Sequence, residues 1–448
     1  MLLNLATPAP KPDARPDAGV IGSQRGKEGA DARAFGSQVT PRANFCSCPV
    51  VASARWIIHN RRMGVNYFDH ENVSELGFAD DANGKYAQRV LIPLIEQGTR
   101  SFFNNVDCQV AVLEVDGLLL PISITSKNAA VKNAYVCSPT THYIDYCKRE
   151  VDVEFSQQRI VGAVLKAIID GFGWLFVRPS FEQVVMVNNW LLSTNLYPSL
   201  SSDTLQAIGA CLVERFPGHA IVYRSVNPVL NGFVLESLEQ VGFKKIISRQ
   251  VYLLDVCDGQ RPTKRAIKID RKLQRTSGQF VWEELATAEA SEVARIKRLY
   301  DSLYLDKYSE FNPQFTEAFF RQAIEQAWLQ VSVLRQGRGG EIVAVVGYFN
   351  RSGVMTTPLI GYDRQVPQSV GLYRLITLRI IDQAVANENF LHMSSGAAHF
   401  KRLRGAEPCF EYNMVLTSHL KWSKRMPWIA LAWLTRWVAG PVFRWFKL

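Results

Sequence analysis

With 448 residues, the chain is too long for one compact core of ordinary size, so its length favours two domains. Its residues are 47% hydrophobic and 21% charged, a composition typical of a folded globular protein rather than of a low-complexity chain. The net charge of +10 favours an anionic partner, such as a phosphorylated cofactor, a nucleic acid or a lipid surface, although solvated basic faces would account for it equally well.

The cysteines and the N-terminus indicate the compartment. Eight cysteines are dispersed along the chain, and only Cys46 and Cys48 lie close together, without the second pair that a zinc site needs. No metal is therefore predicted, and the dispersed thiols favour a reducing compartment. Residues 1–45 are rich in Ala, Pro, Gly, Arg and Asp, lack the apolar region of a signal peptide, and are predicted to be disordered. We predict a cytoplasmic location.

The first half of the chain predicts strands interleaved with helices. Residues 108–125 contain two apolar runs around Asp116-Gly117, a strong hairpin pattern. Residues 128–146 predict a third strand and then a loop dense in hydroxyl and aromatic side chains, and residues 151–172 predict one helix with Ile160 and Val164 on its apolar face. Five elements then follow: a strand at 182–193 that contains Asn188-Asn189, a helix at 201–216, a strand at 219–227, a short helix at 228–243 that ends at glycine, and a last strand at 244–256.

The second half repeats this order. It begins with a basic segment, residues 261–275, which is interpreted as a linker because it is charged and poorly hydrophobic. The sequence then predicts two helices, at 286–304 and 314–328, followed by two strands joined by a turn at 329–350 and a third strand at 354–363. A long amphipathic helix at 371–390, a buried strand at 391–395, a short helix at 397–405 and a last strand at 411–420 complete this half. The matching order of elements suggests two copies of one fold.

Residues 371–408 carry a resemblance to a known family. They show a helix with a tyrosine near its start, a strand, a small polar turn, a short helix with Phe-Lys and a closing glycine, and a strand; the matching residues are Tyr373, Ser395, Gly396, Phe400, Lys401, Gly405 and Glu407. This run resembles the GNAT-like acyl-CoA N-acyltransferase superfamily, in the branch of tandem-domain FemAB-like and CelD-like acyltransferases. Residues 230–254 match the end of a GNAT domain more weakly.

The resemblance implies a fold of the α+β (mixed α/β) class with two tandem GNAT-like domains, each a mixed, mostly antiparallel sheet flanked by helices. The expected domains are a disordered N-terminal segment (1–45), a first GNAT-like domain (46–260), a basic linker (261–275), a second GNAT-like domain that forms the acyltransferase core (276–420), and an amphipathic tail (421–448).

The donor site departs from the common GNAT pattern. Single-domain GNAT enzymes carry a (Q/R)-x-x-G-x-(G/A) loop that holds the CoA pyrophosphate, whereas residues 364–374 here contain only Gly371. The loop still precedes a helix N-terminus, which favours a phosphate. The cofactor-binding residues predicted here are Ser369, Gly371, Arg374, Ser395 and Gly396. The competing interpretation of the loop is an ordinary strand-to-helix turn. No tightly bound cofactor is predicted; the co-substrate is acyl-CoA or acyl-carrier protein, and aminoacyl-tRNA stays open as a donor.

Acyl transfer to an amine needs a way to remove a proton, a group that polarises the carbonyl and a proton for the leaving group. His399 is a candidate base, because histidine is the usual general base of acyl transfer, and Lys401 is a candidate for binding a phosphate or an acceptor carboxylate. The resemblance favours Lys401 more than His399 and adds Tyr373, so these three are the predicted catalytic residues. The competing interpretation is a solvated basic helix with Phe400 and Leu403 packed inward.

Two polar, aromatic segments predict the acceptor site. The end of the helix at 286–304 and the segment after it supply Asp306, Lys307, Tyr308 and Asn312, in the region where GNAT-like acceptor sites are built. The loop dense in hydroxyl and aromatic side chains and the strand after it supply three more candidates, His142, Tyr143 and Asn188. An ordinary helix terminus and a structural loop are the competing interpretations.

The C-terminal segment predicts contact with a lipid surface. Residues 421–448 hold five of the ten tryptophans, six Lys or Arg and no acid. Arg436 interrupts the apolar runs, so none reaches the roughly 20 residues of a spanning helix. Trp, Phe and Leu beside basic residues are typical of an interfacial helix in anionic headgroups, and packing on the protein core is the alternative.

The sequence thus predicts an N-acyltransferase that moves an acyl group, fatty acyl included, from acyl-CoA or acyl-carrier protein to an amine-bearing small molecule or lipid, by direct attack in a cleft between two GNAT-like domains. It would lie in the cytoplasm, peripherally at the inner face of the membrane through residues 421–448. The alternatives are a FemAB-like aminoacyltransferase that uses aminoacyl-tRNA, the one reading that involves a nucleic acid, and a non-catalytic membrane-docked acyl-CoA-binding module. A serine hydrolase is disfavoured because no G-x-S-x-G occurs.

Overall fold

The computed structural model describes residues 64–126, 129–177 and 179–446. The predictions for residues 1–45 and for Cys46 and Cys48 lie outside these ranges. The first half denotes residues 64–260 below, and the second half denotes residues 261–446.

The described part of the chain contains twelve strands, six in each half. Those of the first half are β1 Val65–Phe68, β2 Gln109–Val115, β3 Leu118–Thr125, β4 Val184–Val187, β5 Ala220–Val226 and β6 Lys244–Leu254. Those of the second half are β7 Phe280–Leu285, β8 Gln330–Gln336, β9 Ile342–Arg351, β10 Val354–Tyr362, β11 Phe390–His392 and β12 Glu407–Leu416. They form one sheet in the order β1-β2-β3-β4-β5-β12-β6-β11-β10-β9-β8-β7.

The two halves exchange their last strands. Strand β6 of the first half pairs with β11 of the second, and β12 of the second half pairs with β5 of the first. Strands β6 and β12 also pair with each other over most of their length. Within each half the fifth strand runs parallel to the fourth, β5 to β4 and β11 to β10, while the other pairs are antiparallel. The expected tandem of mixed, mostly antiparallel sheets is therefore confirmed, as two halves of one continuous sheet.

Helices cover both faces of the sheet. In chain order they are α1 Ala82–Glu96, α2 Tyr146–Glu154, α3 Arg159–Phe176, α4 Ser202–Arg215, α5 Gly232–Gln240, α6 Arg265–Thr276, α7 Ala290–Asp301, α8 Glu317–Glu325, α9 Leu372–Ala386, α10 Ala398–Arg402, α11 Trp422–Leu434 and α12 Gly440–Phe446. In the first half, α4 and α5 form a core on one face, and α3 and α11 pack on the other. On the strands of the second half, α9 packs on one face, and α7 and α8 pack on the opposite face together with α1 of the first half.

Two sequence predictions for the first half are wrong. No strand forms between residues 129 and 140 of the described chain; the apolar side chains there are buried in an irregular segment that leads into a π-helical turn, Thr141–Asp145. The helix predicted at 151–172 is two helices, α2 and α3, and the outer face of α3 leaves Ile160 and Val164 exposed. An apolar pattern shows that side chains avoid water, but it does not show whether a sheet or a neighbouring loop covers them.

The segment interpreted as a basic linker forms helix α6, which packs on α9 through Ile267. Its buried Asp270 accepts hydrogen bonds from Arg374 of α9 at 2.6 Å and from the Nε of Arg404 at 2.8 Å. A buried carboxylate between two guanidinium groups is compensated, so this helix fixes the start of α9 and the end of α10 in place.

The C-terminal segment folds into α11, a π-helical turn at Thr435–Ala439 and α12. Trp428 and Leu431 of α11 are buried against the sheet, whereas Trp433, Trp437 and Trp445 are 62%, 59% and 83% exposed. No helix within the described ranges is long and apolar enough to cross a membrane. The segment thus packs on the core through one face and presents tryptophan on another.

Candidate active site

A polar cavity of about 90 Å³ lies where the exchanged strands meet the second half. Its lining comes from both halves, from β6, α2 and the loop after β4 on one side and from β10, the segment after α7 and residues 393–401 on the other. A site that neither half forms alone matches the cleft expected between the two domains.

A turn of left-handed residues forms one wall of the cavity. Ser394, Gly396 and Ala397 have φ values of 59°, 79° and 51°. Glycine adopts this conformation freely, but for serine and alanine it costs about 1–2 kcal/mol each. Such local strain persists only where the surroundings hold it.

Lys401 holds this turn. Its ammonium donates to the carbonyl oxygens of Met393, Ser394 and Ser395 at 2.6, 3.2 and 2.8 Å. Burial, with a smaller contribution from Arg249, lowers the pKa of Lys401 to about 7. The three carbonyl oxygens act in the opposite direction, because only the ammonium form has three protons to donate. In its ammonium form, Lys401 fixes the backbone of the cavity wall through these three hydrogen bonds.

A buried charge network lies under the same turn. Arg249 of β6 pairs with Glu411 of β12 at the point where the two strands are in register, and its other nitrogens reach the hydroxyls of Thr194, at 2.8 Å, and Ser394, at 3.4 Å. Burial raises the pKa of Glu411, but Arg249 and His392 outweigh it and lower that pKa to about 2. The Arg249 cation thus faces the cavity with its charge compensated from behind.

His392 completes the network. Its Nδ1 accepts a hydrogen bond from the backbone N–H of Ser394 at 3.2 Å, which leaves the ring proton on Nε2, 3.4 Å from the Glu411 carboxylate. The histidine thereby connects the carboxylate to the strained turn. It is 1% exposed and does not line the cavity, so it acts through its neighbours.

Tyrosine dominates the rest of the lining. Among the described residues, the cavity tyrosines are Tyr135, Tyr146, Tyr304, Tyr308 and Tyr373. Burial raises the pKa of every one of these phenols, so all stay protonated and act as hydrogen-bond donors near neutral pH.

The Tyr308 hydroxyl is buried and has no hydrogen-bond partner among the described residues. A buried hydroxyl without a partner costs free energy, and a substrate oxygen would relieve that cost. Of the other predicted acceptor residues, Asn312 lines the cavity beside Tyr308 and accepts from the Tyr146 hydroxyl at 3.4 Å. Asp306 is exposed, and Lys307, whose pKa burial and Arg364 lower, does not line the cavity.

The predicted phosphate loop lies outside the cavity lining. Ser369 is exposed, and Arg374 is held by Asp270. Gly371 begins α9 with φ of 75°, and a Cβ there would lie 2.7 Å from Leu273 of α6. This glycine therefore serves the close approach of α6 to α9, which is a structural reason for its presence.

Four further predicted residues also lie elsewhere. His399 is exposed on α10, and Tyr143 lines a different, apolar cavity. His142 is buried, 3.1 Å from the Ser248 hydroxyl, and burial, followed by Arg224, lowers its pKa well below the ordinary value. Asn188 is fully buried with both ends of its amide bonded within the protein, to the carbonyl of Leu196 and the indole of Trp190.

The cavity therefore brings together Tyr373, Lys401, Ser395, Gly396, Tyr308 and Asn312 of the predicted residues. The polar residues that sequence reasoning missed are Tyr135, Tyr146, Ser193, Arg249, Tyr304, Thr357 and Ser394. A signal existed for Arg249, a basic residue in the middle of a strand that continues into the apolar run 251–254. Of the missed tyrosines, Tyr135 and Tyr146 lie in or beside the segment whose secondary structure was predicted wrongly.

The lining determines what chemistry the site supports. No Asp or Glu among the described residues lines it, whereas Lys401, Arg249 and the phenols supply positive charge and hydrogen-bond donors. Donors fixed in a buried site stabilise negative charge that develops on a carbonyl oxygen. The arrangement is suited to a carbonyl or an anionic substrate.

Comparison with known proteins assigns the second half. Residues 263–402 match the family model described as acetyltransferase (GNAT) domain, which confirms the resemblance to the GNAT superfamily for this region. The matched range includes α6 and most of the second-half cavity wall. Residues 263–402 therefore have a GNAT-type acyltransferase fold. None of the curated proteins compared with the chain matches it.

Several solved structures are similar to the chain at low identity. FemX is 8% identical over 76% of this chain and 98% of its own, with a TM-score of 0.43. A tandem GNAT protein from the clavulanic acid biosynthesis pathway is 8% identical over 79% of this chain and 98% of its own, with a TM-score of 0.35. L-PGS from Bacillus licheniformis is 12% identical over 52% of this chain and 77% of its own, with a TM-score of 0.39.

Proposed function

We propose that this protein is an N-acyltransferase that moves an acyl group from acyl-CoA or an acyl-carrier protein to an amine in the polar cavity. The single observation that carries the proposal is the cavity itself, a buried site rich in hydrogen-bond donors and without an Asp or Glu among its described lining residues, built in part by the region that matches the GNAT family model. Its lining suits a reaction in which negative charge develops on a carbonyl oxygen.

The proposed reaction is a direct transfer. The neutral amine nitrogen attacks the thioester carbonyl carbon, a C–N bond forms, and the C–S bond breaks. The amine loses one proton and the leaving thiolate gains one, so the step needs no oxidant and no covalent enzyme intermediate. Because no carboxylate among the described residues lines the cavity, we assign the transfer of this proton to water or to direct passage to the thiolate.

Cavity residues take distinct roles in this proposal. Tyr308, whose hydroxyl is unpartnered among the described residues, donates to the carbonyl oxygen as it becomes negative. Lys401 is a positioning residue, because its protons hold the 393–395 carbonyls and thereby aim Ser395 and Gly396 into the cavity. Arg249 supplies a fixed positive potential. Tyr373 packs on Phe400, with 4.8 Å between ring centroids, and closes the wall beside Lys401.

The test is amine-dependent release of the donor's thiol. The purified protein is incubated with acetyl-CoA or palmitoyl-CoA and a panel of primary amines, and free CoA and the amide product are followed by mass spectrometry. The proposal expects equal amounts of CoA and amide, both dependent on the amine. CoA release without any amide, or binding of acyl-CoA without release, would point to the non-catalytic binding module.

A FemAB-like transfer from aminoacyl-tRNA is the second candidate, and the net charge of +10 favours it. Mass spectrometry of what co-purifies with the protein separates the two. Acyl-CoA or acyl-carrier protein supports the first proposal, and tRNA, together with transfer activity that ribonuclease abolishes, supports the second.

The C-terminal helices are proposed to contact an anionic membrane surface. Trp433, Trp437 and Trp445 are exposed beside Arg436, and residues 421–448 contain no acid. Exposed indoles beside cations suit the headgroup region of anionic lipids. This surface would bring a lipid acceptor, or the acyl chain of a donor, to the protein.

A further inference from the structure

A second cavity, of about 120 Å³, lies between α2, α3 and the C-terminal helices. Most of its lining is aliphatic, including Leu165, Ile168, Ile169, Leu431, Val438 and Val442. Cavities of roughly this size with aliphatic walls exclude water and accept apolar ligands. It is separate from the polar cavity, with which it shares no lining residue.

The two cavities are nevertheless adjacent. On α2, Tyr146 lines the polar cavity and the next residue, Cys147, lines the apolar one. On β6, Arg249 lines the polar cavity and Ser248 the apolar one. Of the polar side chains that line the apolar cavity, Cys147, Glu150, Glu154 and Ser248 lie on α2 and β6, the elements that it shares with the polar cavity, whereas Thr435 lies on the C-terminal helices. This distribution fits an amphiphile whose polar end faces the polar cavity.

The opposite side of the apolar cavity meets an exposed apolar surface. Helix α3, which lines the cavity with Leu165 and Ile168, exposes Ile160 and Trp174 at 83% and 81%. The C-terminal helices line it with Val438 and expose the three tryptophans described above. Exposed apolar side chains on two neighbouring elements mark a contact surface for an apolar partner. The π-helical turn at Thr435–Ala439 forms part of the cavity wall on the side of the C-terminal helices. Such turns often occur at functional sites.

We propose that this apolar cavity binds the hydrocarbon chain of an acyl group, which enters from the surface formed by α3 and the C-terminal helices. Chain binding itself does not depend on the proposed transfer reaction; only its role in presenting the acyl group or the lipid to the polar cavity rests on that function. A hydrocarbon chain fits better than a flat polar metabolite, because most of the lining is aliphatic and most of its polar groups lie around the elements shared with the polar cavity.

The test is a titration of the full-length protein with cis-parinaric acid below its micelle-forming concentration, followed by energy transfer from tryptophan. The wild type is expected to bind it saturably with a stoichiometry of one. Two variants fill the cavity from opposite walls, Ala439→Phe from the π-helical turn and Leu165→Trp from α3. Each is expected to weaken binding at least tenfold while the melting temperature stays within a few degrees.

The control variant is Val281→Ser, which changes an exposed residue of β7 and leaves the lining intact. Its affinity for free parinaric acid, measured by competition or calorimetry, should equal that of the wild type. Unchanged binding by both cavity-filling variants, once shown to be folded, would overturn the inference. Non-saturable binding by the wild type would overturn it as well.

Competition then distinguishes the two sources of the chain. Displacement of parinaric acid by palmitoyl-CoA but not by acetyl-CoA assigns the cavity to the donor's acyl chain. Displacement by lysophosphatidylethanolamine assigns it to a lipid acceptor. Displacement by neither contradicts the proposal. If parinaric acid binds and no acyl transfer is found, the chain site stands and the proposed reaction fails. If acyl transfer is found and no chain binds, the proposed reaction stands and the chain site fails.

Discussion

At the scale of single residues, Glu411 is the buried charge that supports the cavity wall. It is 1% exposed and compensates Arg249, which in turn contacts Ser394 of the strained turn. A buried ion pair contributes little net stability when it is intact, but removing one partner leaves an uncompensated charge and costs about 3–5 kcal/mol. The geometry of the site thus relies on a carboxylate that never contacts the substrate.

The lowered pKa of Glu411 predicts a loss of stability in acid. The carboxyl titrates near 4.5 when the chain is unfolded and near 2 in the folded protein. Between these pH values the unfolded state binds a proton that the folded state does not, so the free energy of unfolding falls as pH falls from about 4.5 to 2. This residue alone should account for roughly 3 kcal/mol of that loss. The measurement is chemical denaturation of the wild type across this range.

The comparison needs a variant without this titration. Arg249→Met/Glu411→Gln removes both charges together, so no uncompensated arginine is left, and its pH dependence should be flatter than that of the wild type by this amount. Glu407→Gln, an exposed position on the same strand, is the control and should follow the wild type. Equal acid sensitivity of the double variant and the wild type would remove Glu411 from the account.

Sequence reasoning at this scale found about half of the site. Lys401, Ser395, Gly396 and Tyr373 were predicted from the resemblance of residues 371–408, and Tyr308 and Asn312 from the polar segment that follows the helix predicted at 286–304. Arg249 and Tyr146 were missed because they come from other segments and reach the cavity only through the fold. Lys401 was predicted to be a catalytic residue. Because it is buried and donates to three backbone carbonyl oxygens, we assign it instead the role of positioning the backbone.

At the scale of elements, helix α3 and the C-terminal helices are the unusual feature. Both pack on the sheet through one face and expose large apolar side chains on another. Surface helices normally place charged or polar residues there. The sequence indicated this for residues 421–448 through tryptophan and cations, but α3 was expected to hide Ile160 and Val164, because an apolar face alone does not tell whether it meets protein or lipid.

The exposed tryptophans predict a measurable membrane affinity. Replacing Trp433, Trp437 and Trp445 together with serine should reduce co-sedimentation with vesicles of phosphatidylglycerol and phosphatidylcholine at least tenfold, because the indoles supply the apolar contact area. The buried Trp428 is kept, so the core stays intact. Raising the salt concentration should weaken wild-type binding, since the neighbouring cations contribute by screened attraction.

A matched set of exposed apolar residues away from these helices controls for general hydrophobicity. Serine at Val229, Val281 and Leu403, which are 47%, 38% and 50% exposed, should leave vesicle binding unchanged. If the tryptophan triple variant binds vesicles like the wild type, the membrane contact proposed for the C-terminal helices is wrong.

At the scale of the whole molecule, the exchange of β6 and β12 joins the two halves. Each half contributes its last strand to the other's side of the sheet, and these two strands also pair with each other. The tandem arrangement could be predicted from the repeated order of elements. The exchange could not, because β6 and β12 have the same apolar pattern whichever half they pair with, and register is set only when the sheet forms.

The exchange predicts one cooperative unfolding transition for the described body. Unfolding either half would expose the edges of β5, β6, β11 or β12 and leave their backbone groups unpaired, so neither half is stable alone. Calorimetry should give a van't Hoff enthalpy close to the calorimetric enthalpy. Two transitions, or a stable monomeric fragment of residues 64–260, would show that the halves fold as separate domains.

The central claim is that acyl transfer occurs in the polar cavity between the exchanged strands. The most direct measurement is kcat/KM for amine-dependent transfer from acyl-CoA in three variants that remain folded. Tyr308→Phe removes a cavity hydroxyl, Lys401→Met releases the turn, and His399→Ala changes an exposed histidine two residues from Lys401. The account predicts that the first two lose roughly 30-fold or more, about 2 kcal/mol of transition-state stabilisation, while His399→Ala stays within twofold. Loss of activity in His399→Ala with normal rates in Tyr308→Phe and Lys401→Met would contradict it.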